Sequence, residues 1–334
     1  MVAAPSSITV LGAGAWGTAL AAAAKRAGRR VSLWAREAEV REAIAARGEN
    51  TPFLPGIKLP AGLELPEDAA EAASNAEAIL LAAPAQHLRP MLAAIAETVK
   101  PGTPLIICAK GLERGTTRLM TELVAEAAPG AEAAILSGPS FAEDVARGLP
   151  TAVTLAARTL PLAESLAAAL ASPAFRPYAS DDPVGAAIGG AVKNVLAIAC
   201  GIAEGKGFGA SARAALIARG FAEMRRFGAA LGARPETLSG LSGLGDLILT
   251  CTTAQSRNFA FGLALGSGET VAEADGHARG VVEGEASARP VVERAAALGV
   301  DMPIAASVAA IVDGQPIETA IAALLARPLR AELE

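Results

Sequence analysis

The residues best suited to chemistry are two lysines. The chain holds 29 basic residues, of which only six are lysine, so arginine is its default cation. Lys193 lies in Gly189-Gly190-Ala191-Val192-Lys193-Asn194-Val195, with Ala, Ile, Val and Leu on nearly every helical face around it. Burying an ammonium without partners is costly. Burial also lowers its pKa and makes lysine a usable proton donor or acceptor near neutral pH. A lysine that snorkels to a helix surface is the plainer alternative. The scarcity of lysine and the apolar surround favour catalysis. The paired glycines let a second backbone or a ligand come close.

Lys110 stands in Ala109-Lys110-Gly111, just past the apolar run Leu105 to Cys108. In a parallel sheet the carboxyl ends of the strands face the ligand crevice, so Lys110 is expected to point there rather than into solvent. Asp246, in Ser242-Gly243-Leu244-Gly245-Asp246-Leu247, opens an apolar run. It reads as a helix N-cap, or as the carboxylate that holds the Lys193 ammonium. Ser256-Arg257-Asn258 sets a planar guanidinium beside a hydroxyl and an amide. That set suits a phosphate, and a solvated helix face is the alternative.

Two further motifs follow apolar runs. Gly12-Ala13-Gly14-Ala15-Trp16-Gly17 comes directly after a strand pattern and opens a helix. Glycines there permit a tight turn and let the backbone approach a pyrophosphate at the helix N-terminus. Dinucleotide binding is the expectation. At the end of the second strand stands Arg36, with Glu37 next to it. Arginine suits a 2′-phosphate, so NADP is expected to be accepted and NADPH preferred over NADH, unless Arg36 is only a solvated helix-start residue. In Ser137-Gly138-Pro139-Ser140-Phe141-Ala142-Glu143, Ser140 and Glu143 have capping-box spacing and predict a helix start. Free N–H groups there could meet an anion or an amide.

Histidine chemistry fares poorly. Of the two histidines, His277 lies in a loop-like polar segment and His87 follows a strand end. Neither has an orienting carboxylate nearby in sequence, so a lysine relay fits better. The three cysteines, Cys108, Cys200 and Cys251, are far apart, and no metal set has normal ligand spacing.

These residues need elements to position them. Strands are predicted at Ser7 to Leu11, Arg30 to Trp34, Ala78 to Ala83, Leu105 to Cys108 and Ala133 to Leu136, with strand-like runs at Thr151 to Ala156 and Phe175 to Ala179. Helical patterns over Ala15 to Ala27 and Glu37 to Arg47 alternate with the first of them. This predicts a Rossmann-like, doubly wound parallel sheet covered on both faces. Composition changes near Ser180-Asp181-Asp182-Pro183, and beyond it only helical periodicity is evident. Long helices are expected over Val184 to Ala203 and Ala212 to Leu231, and shorter ones near 256–265, 285–298 and 304–312. The division is a dinucleotide-binding domain over 1–180 and an all-α substrate-binding and catalytic domain over 181–334, in line with the 334-residue length at roughly 150 residues per domain.

Composition excludes other classes. Apolar residues are 52%, which rules out intrinsic disorder. A net charge of −5 argues against a nucleic-acid binder. The longest apolar stretch, Ala186 to Ala203, is broken by Lys193 and Asn194, so no membrane span is expected. The start, Met1-Val2-Ala3-Ala4-Pro5, shows no leader pattern, and with three scattered cysteines a reducing cytoplasmic setting is the expectation.

Taken in order, Gly12 to Gly17, Asn50-Thr51-Pro52-Phe53-Leu54-Pro55-Gly56, Ala109-Lys110-Gly111-Leu112-Glu113, Ser137 to Ala142, Gly190 to Asn194, Gly243 to Leu247, Ser256 to Asn258 and Val281-Val282-Glu283-Gly284 resemble the bacterial NAD(P)-dependent sn-glycerol-3-phosphate dehydrogenases. The motifs span nearly the whole chain. The resemblance implies reversible reduction of dihydroxyacetone phosphate to sn-glycerol 3-phosphate for glycerophospholipid synthesis. It makes Lys193 the proton donor and acceptor, with Asp246 positioning it and contacting substrate. It has Lys110 touch cofactor and substrate. Gly138, Ser140, Asn194, Ser256, Arg257 and Asn258 would hold substrate, with Arg257 also near the cofactor. Ala15, Trp16, Arg36, Ala142, Val281 and Glu283 would line the cofactor beside Gly12, Gly14 and Gly17. Alanine-rich helices of the second domain could pair in a homodimer. Two other readings stay open: a related β-hydroxyacid dehydrogenase with a carboxylate substrate, and a non-catalytic NADP-binding sensor.

Overall fold

A computed structural model describes residues 3–277, 280–328 and 331. Met1 and Val2, which entered the leader reading, lie outside the described residues. The first half runs β1 (Ser7–Leu11), α1 (Ala15–Arg26), β2 (Arg30–Trp34), α2 (Ala38–Arg47), α3 (Ala69–Ser74), β3 (Ala78–Leu81), α4 (Leu88–Ile95), β4 (Pro104–Ile107), α5 (Met120–Ala127), β5 (Glu132–Ser137), α6 (Ala142–Arg147), β6 (Thr151–Ala157), α7 (Leu160–Leu170) and β7 (Phe175–Ser180). One sheet forms in the order β2-β1-β3-β4-β5-β6-β7. β1 and β3 are buried along their whole length, as strands covered on both faces must be.

The sheet is mostly parallel, as expected, with one reversal. β5 and β6 pair antiparallel, Ile135 opposite Ala156, while β6 and β7 are parallel to each other. Between β5 and β6 the helix α6 has only six residues. At about 1.5 Å per residue it spans about 9 Å, too little to carry the chain back along a six-residue strand of about 20 Å. The chain therefore turns and re-enters from the same end. Strand ends also differ slightly: β3 stops at Leu81 and β4 at Ile107.

The second half is helical: α8 (Pro183–Gly205), α9 (Gly209–Ala230), α10 (Pro235–Ser239), a π-helical turn over Leu241–Gly245, α11 (Asp246–Cys251), α12 (Arg257–Gly266), α13 (Val271–His277), α14 (Glu283–Ala297), α15 (Pro303–Val312) and α16 (Ile317–Leu325). No strand occurs after Ser180 among the described residues. His277 ends a helix instead of lying in a loop.

α8 is the axle of this half. It is long and apolar enough to cross a membrane, yet nearly all of it is buried inside the protein. The α12 helix lies on it backbone to backbone. A Cβ at Gly262 would sit 2.1 Å from the Ile198 carbonyl oxygen, and one at Gly201 2.1 Å from that of Phe259. Only glycine at these positions lets the two helices meet so closely, and that contact sets where Arg257 and Asn258 stand relative to Lys193.

Candidate active site at the sheet–helix junction

The β1–α1 turn is built for close approach. Gly12 has φ +106°, and a Cβ at Gly17 would fall 1.8 Å from the Gly12 carbonyl oxygen. No side chain caps the start of α1, and space is open in front of Gly14. The Trp16 indole Nε1 is buried there without a hydrogen-bond partner. These features fit a dinucleotide, whose pyrophosphate would meet the N–H groups of the turn. Arg36 is 77% exposed past the end of β2 and pairs with Glu37 at 2.7 Å.

Beyond the ends of β4 and β5, α8 brings up a second set of residues: a Cβ at Gly190 would come within 3.2 Å of Ser137 and Lys110. Lys193 is 7% exposed. Its Nζ donates to Asp246 Oδ1 at 2.8 Å and to Thr250 Oγ1 at 2.7 Å. Lys110 Nζ donates to the other carboxylate oxygen, Asp246 Oδ2, at 2.7 Å and to the Gly138 carbonyl at 3.2 Å. One carboxylate thus lies between two ammonium groups. It reaches them because the π-helical turn seats against α8: a Cβ at Gly189 would meet the Ser242 carbonyl oxygen at 2.3 Å. Such turns open a helix locally and re-aim the residue that follows.

The electrostatics follow from burial. Desolvation pulls Lys193 down to about 8, opposed by Asp246 and reinforced by Lys110. Burial alone would raise Asp246, but the ammoniums of Lys110 and Lys193 outweigh it and hold the carboxyl below its ordinary value. Burial raises Glu283, whose Oε1 accepts from the Ala85 N–H at 3.1 Å.

An amide relay crosses the site. The Gly284 N–H donates to Asn258 Oδ1 at 2.8 Å, Asn258 Nδ2 to Asn194 Oδ1 at 3.0 Å, and Asn194 Nδ2 to the Lys110 carbonyl at 3.1 Å. Ser256 caps α12 by accepting from the Phe259 N–H at 3.3 Å. Arg257 follows at the first position of α12, exposed, with its guanidinium against Gly280.

The structure brings together Lys110, Gly138, Lys193, Asn194, Asp246 and Asn258 in one bonded cluster. Two local expectations fail. Ser140 and Glu143 form no capping box: α6 starts at Ala142 behind Phe141, Ser140 Oγ donates to the Gly138 carbonyl at 3.0 Å, and Glu143 pairs with Arg147. The N-cap reading of Asp246 fails too, because the helical turn already runs through Gly245 and the carboxylate is spent on the lysines. Thr250 was missed. Its signal was the four-residue spacing from Asp246, which puts both on one helix face. His87 is exposed, and exposed His277 pairs with Glu269. Cys108, Cys200 and Cys251 are buried free thiols, and no metal-holding group exists among the described residues.

A nucleotide-binding sheet joined to a helical half that carries a buried lysine defines the chain as a nicotinamide-dependent oxidoreductase. Comparison narrows the class. Residues 7–163 match the NAD-dependent glycerol-3-phosphate dehydrogenase N-terminus and residues 182–322 the C-terminus of the same family. The chain belongs to that family. It is 57% identical to a glycerol-3-phosphate dehydrogenase (NAD(P)+) of Parvibaculum lavamentivorans, covering 97% of this chain and 98% of the relative. It is 59% identical to one from a Bradyrhizobium species, over 98% of both chains. The crystal structure of glycerol-3-phosphate dehydrogenase from Coxiella burnetii superposes with a TM-score of 0.91 at 38% identity, covering 96% of this chain and 99% of that one.

Proposed function

We propose that this protein interconverts dihydroxyacetone phosphate and sn-glycerol 3-phosphate with NADPH or NADH, supplying glycerophospholipid synthesis from the cytoplasm. The observation that carries the reading is the buried Lys193 ammonium held on Asp246, where burial lowers its pKa to about 8. When bound, the reduced nicotinamide supplies a hydride to the substrate carbonyl carbon. Lys193 stabilises the charge growing on the carbonyl oxygen and then gives it a proton; in the reverse direction it takes the proton back. Asp246 keeps the ammonium aimed and contacts substrate. Lys110 would touch both coenzyme and substrate. Gly138, Ser140, Asn194, Ser256, Arg257 and Asn258 hold the substrate, and the Arg257 guanidinium takes the phosphate, so remote binding energy orients the carbonyl.

Gly12, Gly14, Ala15, Trp16 and Gly17 would hold the coenzyme, and Arg36 would meet a 2′-phosphate on it. Ala142, Arg257, Val281 and Glu283 would line it as well. The uncapped start of α1 and the open space at Gly14 support this placement. The dinucleotide-binding domain ends at residue 180 and the substrate domain follows, a division supported by β7 ending at Ser180 and α8 opening at Pro183. The protein acts as a homodimer through alanine-rich helices of the second domain.

A spectrophotometric assay tests the reading: oxidation of NADPH and of NADH with dihydroxyacetone phosphate, beside a set of 2-oxo and 3-oxo carboxylates. Turnover confined to the triose phosphate is expected. Turnover on the carboxylates instead would reassign the substrate, and no oxidation with any of them would remove the catalytic reading. Light scattering on a sizing column checks the dimer.

A further inference from the structure

Asn50 belongs to the Asn50-Thr51-Pro52-Phe53 segment and shares no bond with the cluster around Asp246. Yet it is fully buried. Its Nδ2 donates to the Ala13 carbonyl at 2.8 Å and to Thr18 Oγ1 at 2.7 Å, while its Oδ1 accepts from the Phe53 N–H at 3.2 Å. Thr18 Oγ1 donates to the same Ala13 carbonyl at 3.3 Å. The Ala13 carbonyl is therefore held on the inner side of the β1–α1 turn by two side chains.

A trans peptide is planar, with its C=O and N–H pointing opposite ways. Tying the Ala13 carbonyl inward therefore turns the Gly14 N–H outward. Gly14 is also where space is open in front of the turn and where no side chain caps α1. We propose that Asn50 is a positioning residue for coenzyme binding, which fixes the Ala13–Gly14 peptide so that the Gly14 N–H faces the pyrophosphate. It acts through that peptide and touches no reacting atom. The same side chain ties the start of the 51–57 loop to the turn through Phe53. The inference rests on the reading of this turn as the dinucleotide site.

The test uses the full chain and NADPH alone. Binding is read from energy transfer between the protein's two tryptophans, Trp16 and Trp34, and the reduced nicotinamide. Asn50→Ala is expected to weaken NADPH binding about tenfold, the size of one lost orienting hydrogen bond. At saturating NADPH, kcat and the KM for dihydroxyacetone phosphate stay within about threefold of wild type. A merely structural role would lower the melting temperature and the active fraction, leaving the NADPH dissociation constant unchanged; that result overturns the proposal. Thr18→Val removes the second tie to Ala13 with little change in volume. It is expected to weaken NADPH binding in the same direction by a smaller factor, and it decides the matter if Asn50→Ala does not fold. Wild-type NADPH affinity in Thr18→Val would then overturn the proposal. Failure of the wild-type chain to bind NADPH would instead sink the dinucleotide reading itself.

Discussion

Asn194 Nδ2 donates to the carbonyl oxygen of Lys110 at 3.1 Å, so the residue beside one lysine fixes the backbone of the other. The contact joins α8 to the loop after β4, and Asp246 closes the same pair from the side-chain end. The two lysines are held as a unit, by an amide on the backbone of one and by a carboxylate shared between their ammonium groups.

Lys193→Ala should lower kcat by roughly 10²- to 10⁴-fold, the usual worth of a positioned acid–base group, and leave NADPH binding nearly intact. The pH profile should carry the same lysine. Reduction needs the ammonium, so its rate should fall as pH rises through about 8; oxidation needs the free amine and should rise over the same range. Equal turnover in mutant and wild type would remove Lys193 from the mechanism.

Asp246→Asn leaves two ammoniums facing a neutral amide in a buried site. Breaking a buried pair costs about 3–5 kcal/mol. With its main opposing influence gone, the Lys193 pKa should drop further, and the pH limb for reduction should move to lower pH. Calorimetry and the rate profile check both effects. An unmoved limb would show that Asp246 does not set the Lys193 charge.

Arg257→Ala should raise the KM for dihydroxyacetone phosphate by roughly ten- to a hundredfold, the worth of a charge-assisted phosphate contact. Substrates without phosphate should be much less affected. Initial-rate kinetics on dihydroxyacetone and its phosphate give the comparison, and an unchanged phosphate KM would refute the assignment.

Glu223 on α9 is almost fully buried, with Oε1 accepting from the Ile304 N–H at 2.7 Å and Oε2 from the Ala305 N–H at 3.2 Å at the start of α15. Burial pushes its pKa up to about 7. The folded state then holds a proton that the unfolded chain releases near 4.3, as an ordinary glutamate does. The stability that this one group contributes is therefore greatest below that lower value and declines as pH rises towards 7. Glu223→Gln should flatten the decline in melting temperature between about pH 5 and 8. Parallel melting curves for the two proteins would remove Glu223 as its cause.

Much of this protein was legible from local pattern. The glycines of the first turn, the apolar runs of β1 and β3, the apolar faces around Lys193 and the change to helices after residue 180 each report on a few neighbouring residues. Steric and burial preferences act at that range, so periodicity and turn chemistry read them directly. What lay beyond reach depends on partners far apart in the chain. Asp246 was expected to hold Lys193, but it stands 136 positions from Lys110, and nothing local says that the same carboxylate serves both. Thr250, the Asn50 tie to Ala13 and the reversal of β6 are of the same kind. Charge pairing, desolvation and strand direction are set by what packs against what, and only the tertiary structure determines that.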